Sequence, residues 1–69
     1  MSNVIRHVRT GLKVREGHHV MTDKGERAVL AVGYDGRNGA RVWVKHPHKV
    51  GERAVLAASE CHCYVTSDD

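Results

Sequence analysis

The chain has 69 residues, with eleven Lys and Arg against eight Asp and Glu, six His, one Trp, two Tyr and no Phe. A chain this short forms one domain that buries about 60% of its unfolded surface. That excludes a large substrate cavity and leaves a thin core that a partner subunit would reinforce. The formal charge of +3 suits an anionic partner but falls far short of a dedicated nucleic-acid tail.

The opening residues Met1-Ser2-Asn3-Val4-Ile5-Arg6 lack the apolar run of a signal peptide, and no segment approaches the roughly 18 apolar residues of a membrane span. A soluble, cytoplasmic protein without membrane association is therefore expected. Charge is distributed unevenly. Arg6, Arg9, Lys13 and Arg15 come before the first acid, whereas Glu60, Asp68 and Asp69 close the chain with no Lys or Arg among them. Residues 1–11 read as a basic N-terminal arm; Val4, Ile5 and Val8 fit helical spacing while their β-branching favours extension, so the run is too short and too basic to fix as helix or strand, with an extended arm the favoured expectation.

From Leu12 the chain alternates apolar and basic residues through Val14, and after Glu16-Gly17 it continues in the same style from His18 to Met21, which predicts an extended ribbon. Thr22-Asp23-Lys24-Gly25 supplies turn chemistry. A heptapeptide then begins that occurs twice without change, Gly25-Glu26-Arg27-Ala28-Val29-Leu30-Ala31 and Gly51-Glu52-Arg53-Ala54-Val55-Leu56-Ala57. Each copy predicts a glycine turn followed by a strand. In the first, Ala28, Leu30, Val32 and Tyr34 are expected on the core face and Arg27, Val29, Ala31 and Gly33 on the other.

Asp35-Gly36-Arg37-Asn38-Gly39 is the strongest turn signal in the chain, and residues 40–45 beyond it complete a β-hairpin with Val42 and Val44 inward and Arg41, Trp43 and Lys45 outward. Pro47 and Gly51 break the next segment. The second heptapeptide follows, with Ala54 and Leu56 inward by analogy with Ala28 and Leu30. Ala58-Ser59-Glu60 suits one helical turn, Cys61-His62-Cys63-Tyr64-Val65 a last short strand, and residues 66–69 an acidic polar tail. The expectation is an all-β domain over residues 12–65, five short strands closed into a small barrel with one helical turn before the last strand.

This order of elements resembles SH3-like small barrels, including Tudor-like and KOW-like modules, through Gly17-His18-His19-Val20, the Gly25 strand to Tyr34, the hairpin with Arg41-Val42-Trp43-Val44, and Ala58-Ser59-Glu60-Cys61 before the last strand. The resemblance implies a fold and little about activity. It extends to the plasmid-borne type II dihydrofolate reductases, whose pore is lined by a Val-Gln-Ile-Tyr strand before the helical turn. The corresponding residues here are Arg53-Ala54-Val55-Leu56. Ala54 and Leu56 stand where that family has the amide and the phenol, and neither side chain makes the hydrogen bonds that hold cofactor and folate.

Chemistry-bearing residues are few. Cys61 and Cys63 with the histidines His18, His19, His46, His48 and His62 raise the question of zinc, yet neither the two-residue gap of a zinc knuckle nor a His-x3-His pair is present. The cysteines read as small apolar fillers of the last strand and the histidines as turn residues, so no metal and no cofactor is expected. Ser, His and Asp are scattered through turns and tails, and no catalytic site is expected. Nucleic-acid binding is expected of Arg6, Arg9, Lys13, Arg15, Arg37, Arg41 and Lys45, with Trp43 as a stacking face. A competing class is protein interaction. Val29, Ala31, Val55 and Ala57 place apolar groups on the expected outer face, which predicts a surface covered by a protein partner or a second copy of the chain. The resulting expectation is a small non-enzymatic module for nucleic acid or its machinery. An adaptor or inhibitor of phage or mobile-element type, acting as a homo-oligomer, is the alternative, ahead of a metal-binding or reductase role.

Overall fold

The computed structural model describes residues 3–37 and 39–67. Its strands, in chain order, are β1 (Asn3–His7), β2 (His19–Thr22), β3 (Gly25–Asp35), β4 (Gly39–Lys45), β5 (Arg53–Ala57) and β6 (Cys63–Ser67), with a 3-10 turn at Ala58–Cys61 between the last two. The all-β class and the helical turn before the last strand are as expected. The strands form two antiparallel sheets, one of β1 and β6 and one ordered β2-β3-β4-β5.

From Asn3 onward the expected N-terminal arm is part of the fold, and Met1 and Ser2 lie outside the described residues. β1 pairs with β6 from Asn3↔Ser67 to His7↔Cys63, and its other side meets the following segment through an Arg6↔Lys13 bridge and a bond from the Val14 amide to the Ile5 carbonyl at 2.8 Å. Ile5 and Val14 are thereby buried. The partner of β1 lies at the far end of the chain, so no local pattern in residues 1–11 announces the pairing. Thr66 and Ser67 of the expected tail belong to β6, while Asp68, Asp69 and the hairpin residue Asn38 lie outside the described residues.

The ribbon expected from Leu12 to Met21 is interrupted. A turn at Glu16 and Gly17 separates the Lys13 bridge from β2, Leu12 is 62% exposed, and Val14 is buried. Asp23 and Lys24 then form the tip between β2 and β3, where Thr22 is buried and its hydroxyl donates to the Gly25 carbonyl at 2.6 Å. Gly25 takes φ of 103°, a conformation that glycine adopts without strain.

β3 departs from the expected facing. Val29, expected outward, is 1% exposed and sits in the core opposite Val44. A bulge follows, in which Leu30 and Ala31 stand against the single residue Trp43, and the register resumes with Val32↔Val42 and Tyr34↔Ala40. An extra residue in one strand reverses which face each later side chain takes. Hence Val32 and Tyr34 share the face of Val42 and Ala40 as expected, while Ala28 and Leu30 do not share the face of Val29. The far end of this face is little covered, so Val32 is 37% and Tyr34 58% exposed.

β4 alternates as read from the sequence, with Ala40, Val42 and Val44 buried. Ala54 and Leu56 of β5 pack against the core from the partly buried side. Ile5, Val14, Val20, Val29, Ala58, Cys61 and Cys63 complete the core, which is wholly aliphatic and sulfur-bearing. No helix among the described residues is long and apolar enough to cross a membrane.

Candidate nucleic-acid interface

Alternation along β4 turns Arg41, Trp43 and Lys45 away from the core, onto the outer face of the four-stranded sheet. Cross-strand pairing decides what surrounds them. Arg41 lies between Gly33 and Ala57, Trp43 between Ala31 and Val55, and Lys45 opposite Arg53. Trp43 leans diagonally across Gly33, where a Cβ would meet its Cζ3 at 3.1 Å and its Cη2 at 3.4 Å. Residues paired diagonally across a sheet are within reach of an aromatic ring, and a glycine gives that ring a flat floor.

The cations on this face have no acidic partner among the described residues. Among the described residues Arg41, Lys45 and Arg53 make no ion pair; Lys49 pairs with Glu52 at 3.8 Å, and His19 Nδ1 lies 2.8 Å from Glu26 Oε1. Lys45 and Arg53 stand directly opposite each other, and like charges so placed destabilise a sheet. An anion bound between them would relieve that repulsion. The platform continues at one end into a shallow hollow lined by Leu30, Lys45, His46, His48 and Lys49. There the His48 amide donates to His46 Nδ1 at 3.1 Å and holds the turn in shape.

The other basic candidates are elsewhere. Arg6 pairs with Tyr64 in the other sheet, and its Nη1 donates to the Gly11 carbonyl at 2.8 Å, which gives it a structural task in the turn after β1. Arg9 is exposed beside a hollow that includes His7, His19, Glu26 and His62. Lys13 and Arg15 line a groove with Val4, Val32 and Tyr34. Arg37 is exposed in the hairpin turn, where its amide donates to Asp35 Oδ1 at 2.9 Å. Of the eight expected residues, Arg41, Trp43 and Lys45 are brought onto one face by β4. Arg53 and Gly33 complete the platform, and neither is among the residues expected from the sequence. A register of β5 against β4, with Lys45 opposite Arg53, was the signal that would have found the first.

The apolar outer face is likewise redrawn. Val29 belongs to the core, Ala31 and Ala57 are half-buried flanks of Trp43 and Arg41, and Val55 is 52% exposed beside Trp43.

Cys61 and Cys63 are buried free thiols. Burial, with the neighbouring Cys63 and Glu60 adding to it, pushes the Cys61 thiol up to about 11, and burial raises Cys63 as well. The Cys63 thiol donates to the Cys61 carbonyl at 3.2 Å, across the left-handed residue His62. Among the described residues no three His, Cys, Asp or Glu side chains are grouped to hold a metal ion. His7 and His18 are joined ring to ring, Nε2 to Nδ1 at 3.0 Å, and His18 Nδ1 also accepts the Arg15 amide at 3.3 Å. The shared proton therefore sits on His7 Nε2. Burial first, and the nearby His18 second, lower the His7 pKa below its ordinary value.

Comparison with protein families, with curated proteins and with solved structures gives no match for this chain.

Proposed function

We propose that the protein is a small non-enzymatic module that binds single-stranded nucleic acid on the outer face of β3, β4 and β5. The observation that carries this reading is Trp43 set on β4 between Arg41 and Lys45, with Arg53 opposite Lys45 and no acid paired to any of them among the described residues. An aromatic floor for a base beside cations for its phosphates is the general recipe for strand binding without strong sequence preference. The meander from β2 to β5, the 3-10 turn and the return of β6 to β1 support reading the architecture as an SH3-like small barrel. A cytoplasmic setting belongs to the same reading. The reductase alternative has no support in Ala54 and Leu56, which are packed against the core as apolar residues.

Binding of a labelled mixed-sequence single strand tests the proposal. Trp43→Ala is expected to weaken it by about 1–3 kcal/mol, the range for one stacked base. Lys45→Gln is expected to lower the slope of log affinity against log salt by about 0.7. Binding that ignores both substitutions would overturn the reading. The second reading, a protein-interaction adaptor, is favoured by the exposed Val55 beside Trp43, and it predicts partner affinity that changes little with salt.

A further inference from the structure

β5 is an edge of its sheet, bonded to β4 on one side only. Its sequence shows what its other side can do, because the same heptapeptide in β3 is bonded on both sides. In β3 the Val29 amide donates to the His18 carbonyl at 2.7 Å, and the Val29 carbonyl accepts the Gly17 amide at 3.0 Å, both on the side away from β4. In an L-residue strand, the direction of a side chain fixes the direction of that residue's amide and carbonyl. β3 and β5 flank β4 on opposite sides, and Val29 faces inward where Val55 faces outward. A half-turn about the strand axis relates the two copies, so the Val55 amide and carbonyl also point away from β4. The free edge of β5 therefore presents the row of donors and acceptors with which β3 holds its β2-side neighbours. No strand occupies that row among the described residues.

We propose that this edge pairs with the β5 edge of a second copy of the chain, antiparallel, about a two-fold axis at Val55. The strand is self-complementary in that arrangement. Val55 exchanges both hydrogen bonds with the partner's Val55, and Arg53 stands opposite the partner's Ala57, so no like charges meet. Arg53–Ala57 contains no Pro and no Lys, residues that commonly blunt an exposed edge. The pairing joins the two outer faces into one continuous sheet, with Trp43, Val55, the partner's Val55 and the partner's Trp43 in a row and cations on both flanks. It requires no nucleic acid and stands or falls apart from the proposed function.

Amide hydrogen exchange on the native protein across a concentration series tests this, with mass measured by light scattering on the same samples. Exchange at Val55 is expected to slow at least about tenfold as the protein dimerises, while Ala54 and Leu56, whose amides point toward β4, keep one rate. Val55→Lys places two ammonium groups across the axis, at Cα atoms about 5.5 Å apart, and is expected to give a folded monomer. Val55→Cys is expected to form a disulfide-linked dimer on oxidation. Arg53→Cys is not, since it lies about 13 Å from its two-fold mate along the strand. A monomer mass at every concentration, a Val55 exchange rate independent of concentration, or equal cross-linking of the two cysteine variants would overturn the proposal.

Discussion

Val29 and Val55 occupy the same place in an identical heptapeptide, yet Val29 is 1% exposed in the core and Val55 is 52% exposed on the outer face. The two copies meet β4 one residue out of step, since Val44 lies opposite Val29 on one side and opposite Ala54 on the other. A slip of one residue exchanges the faces of a strand. The duplicated segment thus performs two tasks, sealing the core in β3 and flanking Trp43 in β5.

That difference is measurable by denaturation. Val29→Ala is expected to cost about 2 kcal/mol through lost burial and the cavity left behind, a large part of the stability of so small a domain. Val55→Ala is expected to stay within about 0.5 kcal/mol. Equal losses would contradict the inverted facing of the copies.

Gly33 supports the Trp43 ring, and a methyl group there would press on Cζ3 at 3.1 Å. The ring lies at the surface and can yield by a few tenths of an ångström. Gly33→Ala is therefore expected to fold, to shift the fluorescence of Trp43, the single Trp of the chain, and to weaken strand binding. Unchanged emission would show that the ring does not rest on Gly33.

The His7–His18 pair gives an acid-side dependence. His7 titrates below its ordinary 6.5 in the folded protein, so both states are neutral there above that pH. As pH falls through 6.5 the unfolded chain takes up the proton first, and stability declines until the lowered folded value is passed. Denaturation at pH 7 and pH 5 is expected to show a smaller loss for His7→Gln than for the unaltered protein. Identical losses would show that His7 does not set the acid-side dependence.

The two thiols give the opposite side. Both titrate above 9.0 in the folded state, Cys61 at about 11, so the unfolded chain loses these protons first. Their contribution is present below pH 9 and is lost as pH rises toward 11. Thiol labelling at neutral pH should follow unfolding, with little reaction in native buffer. Rapid labelling of both cysteines without denaturant would place them outside the core.

Local chemistry made much of this fold legible. The β3–β4 hairpin that closes at Asp35 and Gly39, the alternation of Val42 and Val44, and the turn at Ala58 follow from short-range preferences, and each is present. The bulge at Leu30 was illegible for a specific reason. Identical heptapeptides are read identically, and only pairing with β4 separates their registers. β1 reads as an arm in the sequence because its partner β6 is remote in the chain. Within the candidate site, Arg41, Trp43 and Lys45 were legible because they alternate on one strand. Arg53 and Gly33 were not, because their contribution is a cross-strand position.

Stacking of a nucleic-acid strand on Trp43 of the outer face is what the proposed function requires. Since Trp43 is the single Trp, its intrinsic fluorescence during titration with an unlabelled single-stranded oligonucleotide is the most direct measurement. Saturable quenching at low salt, with a midpoint that rises steeply as salt is added, is predicted. Emission that stays constant at low salt up to high oligonucleotide concentration would show that no strand stacks on Trp43.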